Sequence, residues 1–73
     1  MKKIIVTFQA PNEKDEWCED CFEVTVDESL RDSERDALIC RIAPDMARLH
    51  GLPGYNVDVV AIEEVKNVFR SNV

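Results

Sequence analysis

The chain reads as an α+β domain of two layers, ββαβ in order, with a three-stranded antiparallel sheet (order 2-1-3) and one helix packed on one face. Three observations predict it. Runs of alternating apolar and polar residues at 3–10 and 17–26 flank a short polar loop, PNEKDE, which is the layout of a hairpin. One long amphipathic stretch follows, DSERDALICRIAPDMARLHGLPG, with start and stop signals at its ends. A third alternating run at 56–63 then completes the sheet. A helix that returns over the hairpin with the usual right-handed crossover lays this strand antiparallel to the first, on its open side.

In the first strand Ile4, Val6, Phe8 and Ala10 share one face while Ile5 and Thr7 take the other, so neither face is charged and a central position is expected. In the second, Phe22, Val24 and Val26 point inward against Cys21, Glu23 and Thr25. The helix is expected at about residues 33–50. Ser33 with Asp36, or Ser29 with Asp32, has the spacing of a capping box, and Gly51 followed by Leu52 and Pro53 has the layout of a Schellman stop. Leu38, Ile39, Ile42, Met46 and Leu49 form the expected core stripe. Pro44 leaves that phase intact, which favours one bent helix over two. Ala37, Cys40, Pro44 and Ala47, flanked by Arg41 and Arg48, make a second stripe of small residues behind it. Tyr55, Val57, Val59 and Ala61 are expected on one face of the third strand, with Val60 and Ile62 on the other. The tail, residues 64–73, suits a short helix or a fourth strand equally. A bare sheet face carrying Ile5, Thr7, Cys21, Thr25, Val60 and Ile62 follows unless the tail covers it. The competing topology is a β-grasp, which needs a fourth strand from the tail.

Seventy-three residues form a single domain, 1–73, with room for one thin core and none for a cofactor domain. With 45% hydrophobic and 33% charged residues the composition is that of a folded globular chain. No run reaches the roughly 18 apolar residues of a membrane span, and the apolar start is too short for a secretory signal. Three cysteines, an odd number, suit reduced thiols. A cytoplasmic location is expected. The net charge of −6 is unevenly spread: residues 11–36 hold eleven acids against three bases, a net −8, and the rest of the chain sums to +2. Such a chain avoids direct contact with nucleic acid and is drawn to a basic protein surface.

Catalysis is not expected. WCEDC, Trp17 to Cys21, has the thioredoxin-like W-C-x-x-C spacing, but it runs into a strand, and Glu19 and Asp20 disfavour a thiolate. A zinc site from Cys18, Cys21, Cys40 and His50 fails because Cys40 and His50 lie about 15 Å apart along one helix. His50 is explained by the helix C-terminal dipole. No cofactor or metal is expected.

In layout, through KKIIVTF, CFEVTVDESL, the helix and YNVDVVAI, the chain resembles small phage-encoded regulators that bind bacterial RNA polymerase. The resemblance implies a protein partner, a host RNA polymerase subunit, and inhibition or regulation of transcription. The charge pattern names the expected contact residues: Glu13, Asp15, Glu16, Glu19 and Asp20 on the acidic side, and Arg41 and Arg48 beside the small-residue stripe. A monomer is expected. The alternatives are an anti-CRISPR-like inhibitor of a defence nuclease whose acidic surface imitates nucleic acid, a β-grasp-like structural or binding module, and a zinc-dependent module. A β-grasp carrier is disfavoured, since the chain ends in Arg70-Ser71-Asn72-Val73 where carriers have Gly-Gly.

Overall fold

The computed structural model describes residues 1–65. Its elements are β1 (Lys2–Pro11), β2 (Trp17–Val26), α1 (Asp32–Leu49) and β3 (Asp58–Glu64). They form one antiparallel sheet in the order β2-β1-β3, as the sequence predicts, with α1 over one face. The expectations for residues 66–73 lie outside the described residues.

β1 is central because both its faces can be buried or neutral. Ile4, Val6, Phe8 and Ala10 are inaccessible to solvent beneath the helix, and Phe22 and Val26 of β2 complete the buried part of the sheet. The ring centroids of Phe8 and Phe22 lie 5.9 Å apart and tilted, so two aromatic rings fill the middle of a thin core. The β1–β2 register is regular over all ten pairs, from Lys2↔Val26 to Pro11↔Trp17. Asn12 builds the turn between them. Its Oδ1 accepts the N–H groups of Lys14 (2.8 Å) and Glu16 (3.0 Å), its own N–H donates to the Glu16 carbonyl (2.9 Å), and Asp15 adopts a left-handed φ of 64°.

The helix is one element through Pro44, but it starts and faces differently from the sequence expectation. Neither serine spacing is used. The N-cap is Arg31, whose N–H donates to Glu34 Oε1 at 3.0 Å, while Ser29 is drawn into a turn in which Asp27 Oδ1 accepts both its N–H and its hydroxyl at 2.9 Å. The stop is as expected. Leu52 N–H donates to the Ala47 carbonyl and Gly51 N–H to that of Arg48, both at 3.0 Å, with Gly51 at φ 87°, and this pair of bonds is the Schellman motif.

The buried helical residues are Ile39, Ala43 and Ala47, whereas Leu38, Ile42 and Met46 are half-buried flanks and Leu49 is 77% exposed. The core face is thus turned towards the alanines, which corrects two expectations: Leu49 is outside the core and Ala47 is inside it. The physical reason is the narrowness of the sheet. Small residues in the middle of the contact let the helix axis sit low over β1, and the long side chains straddle the strands on either side.

β3 starts two residues later than expected. Positive φ at Gly54 (94°) and Asn56 (54°) keeps the chain turning past Tyr55, which therefore lies outside the strand. A bulge breaks its alternation: Thr7 pairs with Ala61 but Phe8 with Val59, leaving Val60 without a partner. Val59 and Ile62 both reach the helix side as a result, so Ile62 leaves the bare face where alternation placed it. That face, which no described element covers, carries Ile5, Thr7, Gln9, Cys21, Thr25, Ala61 and Val65 together with the charged Lys3, Glu19, Glu23 and Glu63.

Candidate functional site

Cross-strand pairing fixes which side of the sheet each acidic residue occupies. Glu13, Asp15 and Glu16 stand at the tip of the β1–β2 hairpin, all exposed. Glu19 pairs with Gln9 on the bare face, whereas Asp20 pairs with Phe8 on the helix face. The predicted acidic residues therefore share one end of the molecule but divide between its two sides.

Asp20 is the member of this group with the most contacts. Its Oδ1 accepts the Cys21 backbone N–H at 2.8 Å, and its Oδ2 lies 2.6 Å from His50 Nδ1. The Cys21 N–H first, and then the hydrogen bond and charge of His50, hold the Asp20 carboxyl below its ordinary range against a small opposing effect of desolvation. The His50 ring also stands edge-on to Phe8, with centroids 5.8 Å apart. This contact was missed from sequence although its signal was present: His50 follows Ala47 by three residues, in phase with Ile39, Ala43 and Ala47, so it continues the core face beyond the end of the helix. The C-terminal dipole remains favourable to it, but its principal role is to tie α1 to β2. Cys18, two residues from Asp20 on the same face, turns its thiol to the Glu16 carbonyl at 3.7 Å.

Arg41 is exposed and borders a shallow recess with Glu34, Ala37 and Leu38. Arg48 pairs with Asp45 and lies over the turn at Gly54. The small-residue stripe between them does not survive as one surface, because Ala47 is buried and Pro44 half-buried while Ala37 and Cys40 are exposed.

The three cysteines are free thiols. Cys18 and Cys21 stand three residues apart on a strand, which puts them on opposite faces, and Cys40 is exposed on the helix. Among the described residues no group of three His, Cys, Asp or Glu side chains is placed to hold a metal ion. No described helix is long and apolar enough to cross a membrane. Comparison with known protein families, characterised proteins and solved structures returns no match to this chain.

Proposed function

We propose that this chain is a small binding protein that regulates transcription by contact with a basic surface of a host RNA polymerase subunit, acting in the cytoplasm as a monomer and without catalysis of its own. The observation that carries this reading is the gathering of Glu13, Asp15, Glu16, Glu19 and Asp20, all exposed, at one end of the molecule with Lys14 as the one base among them. An unbalanced negative field of this kind accelerates encounter with a positively charged surface, and a channel built to hold nucleic acid is such a surface. The layout resemblance to phage regulators of polymerase points the same way.

The test is kinetic. Replacing Glu13, Asp15, Glu16, Glu19 and Asp20 together with their amides slows association with purified RNA polymerase and flattens its salt dependence, because long-range attraction is screened beyond about 10 Å at about 0.1 M salt. Dissociation changes less than association does. Unaltered association of the amide variant overturns the steering role, and no binding of the wild-type chain to polymerase overturns the choice of partner and favours a defence nuclease instead.

A further inference from the structure

Among the described residues β2 is an outer strand, and the direction of its backbone groups can be worked out residue by residue. Val65 N–H donates to the Lys3 carbonyl at 2.9 Å, so odd-numbered residues of β1 turn their backbone towards β3 and even-numbered ones towards β2. Lys3 pairs with Thr25, Ile5 with Glu23, Thr7 with Cys21 and Gln9 with Glu19. The N–H and C=O groups of Glu19, Cys21, Glu23 and Thr25 therefore point away from the sheet. One of these donors is covered from within the chain, since Asp20 Oδ1 accepts the Cys21 N–H. The others have no partner among the described residues.

The two edges of the sheet are unlike. β3 is short, seven residues, and a bulge interrupts it at Val60, features that discourage further pairing. β2 is ten residues long, unbroken in register and free of proline, and Trp17 at its start is 61% exposed. Beside its open edge stand Glu19 and Glu23, the latter 3.5 Å from Lys3. A second copy of the chain fits this edge badly in the registers centred on Cys21 and on Asp20. Antiparallel pairing about Cys21 sets Glu19 opposite Glu23 twice over, and pairing about Asp20 sets that carboxylate opposite itself.

We infer that β2 is a docking edge for an extended basic segment of the partner protein, which adds to the sheet as a fourth strand and sets lysines or arginines at alternate positions against Glu19 and Glu23. The carboxylates alone do not make the site; the row of outward backbone groups does, and the charges choose the occupant. An incoming carbonyl takes the Cys21 N–H from Asp20, whose carboxylate stays anchored through Oδ2 to His50. Trp17 offers its face to a cationic side chain at the end of the row. This deepens the proposed function: it rests on the chain being a protein-binding module and not on the partner being polymerase.

The probe is a short synthetic peptide alternating lysine with threonine, titrated into isotope-labelled protein. Amide shifts and slowed hydrogen exchange at Glu19, Cys21, Glu23 and Thr25, with β3 unaffected, support the inference. Methylating alternate backbone nitrogens of the peptide keeps its charge and weakens binding about tenfold or more, the loss expected when several main-chain hydrogen bonds go. In the protein, Cys21→Pro removes an outward N–H that β1 does not use, so it spares the ladder and abolishes the protection. Equal binding of plain and methylated peptides, or shifts confined to the hairpin tip, overturns the inference in favour of charge attraction alone, whatever the variant does. Self-association through β2 also overturns it. Polymerase binding that is identical for wild type and a folded Cys21→Pro variant sinks the docking edge and leaves the proposed function standing, whereas peptide docking without polymerase binding does the reverse.

Discussion

Asp20 and His50 meet at 2.6 Å, thirty residues apart in the chain, and through them the start of the outer strand holds the end of the helix. The same carboxylate is held below its ordinary range, as is Asp27, which accepts from Ser29 backbone and hydroxyl. A carboxyl depressed in the folded state contributes stability above its unfolded pKa of about 4 and loses that contribution as pH falls through the folded value. Urea midpoints of the wild type measured at pH 6 and at about pH 3 should therefore differ by more than those of an Asp20→Asn, Asp27→Asn double variant. An equal fall in both proteins would place the acid sensitivity elsewhere.

The phase of the helix is tested by truncation. Ile39→Ala removes a wholly buried side chain and should cost about 2–4 kcal/mol, while Leu49→Ala, at an exposed position, should stay within about 0.5 kcal/mol. Ala47→Leu, harmless if that residue were on a solvated stripe, should cost about 1–3 kcal/mol by overpacking the contact with the sheet. Thermal or urea melts of the three decide between the alanine-centred face and the leucine-centred one.

Asn12 satisfies the hairpin tip almost alone, and its side chain has no equivalent in alanine. Asn12→Ala should destabilise by about 1–2 kcal/mol, since the N–H groups of Lys14 and Glu16 lose their acceptor. Amide exchange at those two residues should quicken, with the middle of β1 unaffected at equal global stability.

Gly51 and Gly54 both have positive φ but differ in what surrounds them. A Cβ at Gly51 meets nothing within 4 Å, whereas at Gly54 it falls 2.7 Å from Arg48 Nε. Each alanine substitution should cost more than about 1 kcal/mol from the backbone, and Gly54→Ala more again because Arg48 must leave its place over the turn. Adding Arg48→Ala should bring the two glycine variants level; a gap that persists would place the extra cost outside Arg48, and no gap at the outset would mean that the side chain gives way freely.

Strand identity, sheet order and the helix stop were legible in sequence because each rests on a local rule: alternation in β1 and β2, the polar hairpin, and glycine at Gly51. The structure departs from local rules for two reasons. Helical periodicity weighs apolar size over fit and so puts Leu49 in the core and Ala47 outside, whereas in a sheet three strands wide the closest approach goes to the small side chain. Alternation turns Ile62 outward because it cannot foresee an unpaired residue at Val60. The acidic end was legible as charge. Its division between two faces, and the tie from Asp20 to His50, depend on a register and a helix phase that only the assembled sheet supplies.

The central strand has a consequence for how the chain folds. β1 is translated before its two neighbours, yet it pairs with β3 through contacts as distant in sequence as Ile4 and Glu64. The hairpin with β2 closes over a short loop and can form early, but the open side of β1 must wait until nearly all of the described chain has emerged. The apolar row Ile4, Val6 and Phe8 is covered earlier, once α1 follows the hairpin, so what stays unpaired longest is the open backbone edge of β1, and folding yield should be limited by this last pairing step.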